Sequence, residues 1–372
     1  MKRLFALLMA ACLLLCGCGT QEPDPTELPP PSTEDKPIVQ VPTTKPTEPP
    51  TTAATDPTEP PETQPQGFPN PLTGVYGEEE VVNRPYAVVF NNSRLALPHW
   101  SVSQLDMLWE LPHEDNITRM MGIFTDVSQL EKVGSLRSSR PYHISLAQSL
   151  DAIFVHAGGT TAAYSTLRST KWNNLDGVMG KGAWKYYHRD QDRLNAGVAL
   201  EHTMYITGKE ILEYTKELGY TTTRGEVLDY GLQFATDGTP EGETAQNIRF
   251  SFRNGGKENK LYYNADAGKY TLEQFGITYV DGLTGNAVGF ENVLILEAEV
   301  GRLDDEGHLT VDLVSSGDGY FACGGKLIPI RWNRGSTSSF FTFTLTDGTP
   351  LTMGTGNSYV AVVYENAPVI YS

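Results

Sequence analysis

Cysteine is scarce: the chain has four in 372 residues, and three of them fall within the first 18. Processing after Gly17 leaves Cys18 and Cys323, and an acylated Cys18 leaves Cys323 without a partner. An internal disulfide is therefore excluded, and stability must come from the core. Long apolar runs are missing as well. The only candidate, Leu4–Leu15, is shorter than the roughly 20 residues a spanning helix needs. Basic residues are few, 28 against 45 acids for a net charge of −17. That balance excludes nucleic acid and electrostatic membrane binding. The chain contains no HExxH, no Cys/His pair at ligand spacing, no Walker loop, no G-x-G-x-x-G and no G-x-S-x-G elbow. No metal and no cofactor is expected.

What is present begins with an address. Lys2 and Arg3 precede the apolar run, as in a secretory signal. The run ends in Leu15-Cys16-Gly17-Cys18, which looks like a bacterial lipobox. Residues 1–17 read as a lipoprotein signal peptide, with lipid on Cys18. The expected location is the outer face of the bacterial cytoplasmic membrane, with the membrane as a partner through that lipid.

Residues 18–67 read as a disordered Pro/Thr/Glu-rich linker. From Gly19 to Gly67 the chain holds 14 prolines, and nine acids against two lysines. Such a segment has little to bury. Proline favours an extended chain of about 3.1 Å per residue, and like charges stretch it further.

About 305 residues remain from Phe68, enough for two domains. In residues 68–225, apolar strands at Tyr86–Phe90, Met120–Phe124 and Ala152–Val155 alternate with amphipathic stretches. Ser103–Leu111, Ile144–Leu150, Thr161–Leu167 and Lys209–Leu218 read as helices. This predicts an α/β layered domain. Residues 226–372 change to short β-branched and aromatic runs. Examples are Ile248–Phe252, Val293–Glu299, Lys326–Trp332 and Tyr359–Tyr364. Asp318-Gly319, Gly324-Gly325 and Asp347-Gly348 read as turns, so this part is an antiparallel β-rich domain. The fold class overall is α+β.

Six of the seven histidines lie in the α/β half, which marks it as the polar working surface. In VGSLRSSRPYH, residues 133–143, Arg137, Ser138 and Arg140 stand at the mouth of a helix that starts at or just after Pro141. Unpaired helix N–H groups, a Ser or Thr cap and planar arginine donors together form an anion cradle. Gly134 would allow close backbone approach. The competing reading is a capped turn whose arginines pair with the protein's own acids. In LPHEDNITRMMGIF, 111–124, a loop carrying His113, Glu114 and Arg119 feeds a strand. In DAIFVHAGGTTAAY, 151–164, a strand ends in His156, Gly158 and Gly159 before a helix, where open α/β sheets bind ligands. A lone histidine at a strand end is more often a satisfied structural residue, and His156 also reads that way. Asp106 and Glu110 are candidate acids or bases, placed on one helix face.

Six runs carry a family resemblance: N-P-L-T-G (70–74), R-P-Y-A-V-V (84–89), D-M-L-W-E (106–110), I-T-R (117–119), V-G-S-L-R-S-S-R-P-Y (133–142) and D-A-I-F-V-H-A-G-G (151–159). With G-D-G-Y-F-A-C-G-G-K-L-I-P-I-R-W (317–332), they make the folded part resemble the YerB-like bacterial lipoproteins. The resemblance implies an N-terminal α/β-type unit, a C-terminal unit and no established activity. The chain departs from that pattern at four places. Asn91-Asn92 replaces Asp-Asn, and Leu97-Pro98-His99 replaces Arg-Pro-Gln. Asp115-Asn116 replaces two glycines, and Glu201-His202-Thr203 replaces Pro-His-Asn. Loss of the acid at Asn91 weighs against an enzyme that depends on it.

Three functions follow. The first is a surface module binding an anionic polymer or cell-wall glycan through Arg119, Arg137, Ser138, Arg140, His156, Gly158, Gly159 and His202. The second is a phosphodiester- or pyrophosphate-processing enzyme distantly like the LytR–CpsA–Psr transferases, with Asp106 or Glu110 as metal or base residue. The third is a structural lipoprotein whose β domain meets a protein partner. The first is favoured.

Overall fold

The structure, a computed structural model, describes residues 66–114 and 116–372. The expected signal peptide, the lipidated Cys18, the linker up to residue 65, and Asp115 lie outside the described residues.

A mixed sheet of eleven strands forms the frame. Its first half is built from β1 (Tyr86–Phe90), β2 (Met107–Glu114) and β3 (Ile117–Phe124). It continues through β4 (Ile153–His156) and β5 (Asn174–Asp176). Helix α1 (Pro141–Ser149) precedes β4, α2 (Thr161–Thr170) lies between β4 and β5, and α3 (Gly208–Glu217) follows. Every residue of β1 is buried. A strand covered on both faces reads as a continuous apolar run rather than an alternating one.

The second half contributes β6 (Asn247–Ser251), β7 (Glu258–Asn264) and β8 (Lys269–Gln274) to a smaller antiparallel sheet. It also returns to the large sheet with β9 (Asn292–Ala298), β10 (Ser316–Cys323), β11 (Lys326–Asn333) and β12 (Ser358–Tyr364). The large sheet runs β11-β10-β9-β12-β2-β3-β1-β4-β5, with Glu243–Thr244 at the β11 end and Thr342–Leu345 also paired with β11. Strand β12 sits in parallel between β9 and β2, in register from Ser358 opposite Met107 to Ala361 opposite Glu110. The two halves of the sequence therefore share one sheet.

Alternate residues of that sheet feed two cores. Phe90, Leu108, Met120, Val155, Ile295 and Tyr359 face α3 and the smaller sheet, whose Phe250, Leu261 and Tyr270 join the same cluster. Val89, Trp109, Met121, Phe154, Leu294 and Val360 face α1, α2 and the aromatic run around Phe341.

The expected α/β region followed by antiparallel β structure is present. Four local expectations differ. Ser103–Leu111 is not a helix, since β2 begins at Met107. Residues 111–114 belong to that strand rather than to a loop, and β3 begins at Ile117. Asp318-Gly319 lies inside β10 rather than in a turn. A Cβ on Gly319 would stand 2.5 Å from the Ile295 carbonyl oxygen, so glycine there serves strand packing. Gly134 belongs to a short strand, Val133–Gly134. A Cβ there would stand 2.7 Å from the Met204 carbonyl oxygen, so the close approach is to the protein's own chain.

Candidate functional site

Strands β1, β4 and β5 run parallel, so their C-terminal ends emerge on one side of the sheet. Strand β3 is antiparallel to β1, with Met120 opposite Phe90, so its N-terminal end arrives there too. This places Asn91, His156, Asp176 and Arg119 at one edge.

The R-S-S-R run crosses that edge in extended form. The Arg137 N–H donates to the Val89 carbonyl, the Ser139 N–H to the Gly158 carbonyl, and the Ala157 N–H to the Arg137 carbonyl. A bridge joins Ser139 to Gly159. Gly158 has φ +85°, which favours glycine. A Cβ on Gly159 would stand 2.8 Å from Ser139 Oγ. Asp176 locks the glycine turn by accepting from the Gly158 and Val178 N–H groups, each at 2.9 Å. The His156 ring stacks on Phe154, with Nδ1 2.7 Å from the Gly158 carbonyl oxygen and Nε2 3.2 Å from Asn174 Oδ1.

Helix α1 starts as expected, with Pro141 at its first position and Arg140 as N-cap. The expected Ser or Thr cap is absent. Instead the ring of His143 accepts from the Arg140 N–H at 3.1 Å. That bond places the ring proton on Nε2, which is buried without a partner. Burial first, then the charges of Arg119 and Arg140, hold His143 well below the ordinary histidine value. It is a neutral ring.

Three guanidinium groups gather around Ser138. Arg119 is 4% exposed and donates from Nη1 to the Ser138 carbonyl oxygen at 2.6 Å and to Ser138 Oγ at 3.1 Å. It has no carboxylate partner among the described residues. Burial, with a smaller contribution from Arg137, lowers it to about 9, so it remains a cation at neutral pH. Arg140 donates to the Ser139 carbonyl at 2.9 Å and pairs with Glu114. Arg137 reaches the surface and meets Glu201 at 3.5 Å. Arg189 lies near enough for Arg137 to disfavour its charge, after burial. It donates to the Leu200 carbonyl at 2.5 Å and likewise lacks a carboxylate among the described residues. The Nε atoms of Arg119, Arg137 and Arg140 are all buried without partners. Both acids, Glu114 and Glu201, hold their arginines from the solvent side, with side chains 34% and 51% exposed. Arg119 and Arg189 thus carry charge that no carboxylate among the described residues pairs directly.

Residues 72–221 match the family described as "Protein of unknown function (DUF3048) N-terminal domain", and residues 247–360 match its C-terminal domain. The "Putative lipoprotein YerB" of Bacillus subtilis (strain 168) is 31% identical over 268 residues, 71% of this chain and 77% of that protein. The chain belongs to the DUF3048 family. The crystal structure of the Bacillus subtilis YerB protein superposes with a TM-score of 0.69 at 28% identity, covering 81% of this chain and 99% of that one. The family's function is unknown, so roles must be argued from the site.

Of the residues singled out in the sequence, Arg119, Arg137, Ser138, Arg140, His156, Gly158 and Gly159 come together at the sheet edge. His202 joins through Glu201, whose Oε1 is 3.6 Å from its Nε2, and through Asn91, 2.7 Å from its Nδ1. Asp106 and Glu110 are elsewhere, and they do not share a helix face. Asp106 accepts from Asn70 Nδ2, the Thr125 N–H and Thr125 Oγ1. Glu110 is fully buried and accepts from Asn92, Thr118, Lys257, Asn259 and Tyr359. Among the described residues no three His, Cys, Asp or Glu side chains are grouped to hold a metal.

Sequence reasoning missed Arg189, Glu201 and Asp176 as parts of this edge, and gave Glu114 only as a member of the 111–124 run. Arg189 and Asp176 sit in unremarkable runs, and only the sheet topology brings them in.

Proposed function

We propose that this protein is a lipid-anchored surface lipoprotein that binds an anionic ligand of the cell envelope at the Arg119–Arg137–Arg140 cluster. The observation that carries this reading is Arg119. A desolvated guanidinium costs several kcal/mol unless a charge answers it, and its own fold gives Arg119 only a carbonyl and a hydroxyl. Planar donors of this kind suit phosphate or carboxylate. Arg137, half-exposed, is the entry point.

The test is thermal unfolding of the protein with inorganic pyrophosphate, a polyprenyl phosphate and an anionic wall polymer. Ligand at 100 times its Kd should stabilise by about 2.7 kcal/mol, and Arg137→Ala should abolish the rise while leaving the free protein's midpoint in place. No rise with any of the three removes the anion reading. The anchor has its own test. Cys18→Ser should move the protein from the membrane fraction to the soluble fraction, and retention in the membrane would count against lipid on Cys18.

A further inference from the structure

A second cavity, of about 750 Å³, lies away from the arginine cluster. Its size falls within the ordinary range of ligand sites. One wall is the hairpin formed by Phe68–Pro69 and Tyr76–Gly77. The opposite wall comes from the smaller sheet, including the β7–β8 turn and Lys269.

The lining has a distinct chemistry. Phe68 and Tyr76, two large aromatic residues of the lining, are each 45% exposed. The amide of Gln104 and the hydroxyl of Tyr76 have no protein partner among the described residues. Asn264 spends its Oδ1 on the Asp266 and Ala267 N–H groups at 3.0 and 3.2 Å, which leaves its NH₂ group as a donor. Its charged lining groups are Lys269 on one side and Glu79 and Asp106 on the other, with Asp106 already held by Asn70 and Thr125.

We propose that this cavity binds a neutral oligosaccharide. A sugar hydroxyl both donates and accepts, and Gln104 and Tyr76 each do the same. The C–H face of a pyranose ring is apolar and packs on an exposed aromatic face, while the ring's rim needs polar partners. An anionic ligand would meet two carboxylates against one lysine, and a cation would find Asp106 already held by Asn70 and Thr125. A purely apolar ligand would strand the amides without partners.

The probe is the β-1,4-linked tetramer of N-acetylglucosamine, titrated into the full chain by calorimetry, with maltotetraose as a second neutral oligosaccharide. Saturable binding of either is expected. Tyr76→Ala and Gln104→Ala should each weaken it at least tenfold at an unchanged melting temperature, and Arg137→Ala should leave it as it is. Absence of saturable heat with both sugars at millimolar concentration overturns the proposal. So does binding that survives both cavity substitutions, or binding that Arg137→Ala abolishes, because the sugar would then sit in the arginine cluster. A failure here leaves the anion reading standing, since pyrophosphate binding is read separately.

Discussion

Three buried histidines near the site show how burial sets single-residue energetics. His99 has no exposed surface; its Nε2 lies 2.9 Å from the Asn91 carbonyl oxygen and its Nδ1 lies 2.9 Å from the Tyr279 hydroxyl. A neutral ring satisfies both contacts. Burial lowers His99 from 6.5 to about 4, and it holds His113 and His143 well below the ordinary value too. The sign follows from proton linkage. Below pH 6.5 the unfolded chain takes up protons on these rings that the folded chain refuses, so stability is complete above 6.5 and falls as pH drops toward 4. For His99 alone the displacement from 6.5 to about 4 corresponds to roughly 3 kcal/mol. The urea midpoint should therefore drop markedly between pH 7 and pH 4.5, and His99→Gln should flatten that slope. A midpoint equal at both pH values would show that these rings titrate freely in the folded protein.

At the scale of elements, the sequence disclosed most strands and all three long helices, because each has an apolar pattern that one period explains. The α1 start at Pro141 was legible from the proline alone. Strand β2 was not. Leu105, Leu108 and Trp109 are spaced as on a helix, yet Met107, Leu108 and Trp109 are all buried, facing alternate cores of the sheet. A short strand covered on both faces cannot be told from a helix by periodicity. Pro112 was the missed signal, since it breaks a helix but is tolerated here beside a β-bulge at Pro112–Glu114. The candidate site was half legible. Local runs gave the arginines at 137 and 140 and the glycines at 158 and 159. The join between Ser139 and Gly159, and the arrival of Arg189, depend on long-range topology that no local pattern encodes. The carboxylate partners Glu114 and Glu201 are likewise set by where neighbouring elements end.

At the scale of the whole molecule, the sequence reads as two halves while the sheet joins them. Strand β12, near the end of the chain, fills the place between β9 and β2. The join is also ionic. Glu110 on β2 is buried completely and pairs with Lys257, which arrives from the second half with Asn259 and Tyr359. Lys257 is itself buried, and burial lowers its pKa while Glu110 opposes that shift. A buried pair adds little net stability over an apolar one, but removing one partner strands the other charge, at a cost of about 3–5 kcal/mol. Lys257→Met should therefore lower the calorimetric midpoint sharply. Glu110→Leu combined with Lys257→Met should restore part of the loss, because neither charge remains to be answered. Both halves should melt in one transition in every variant, since removing β12 would expose the β2 edge and both cores beside it. Two separated transitions, with only the second moved by Lys257→Met, would mean that the shared sheet does not couple the halves.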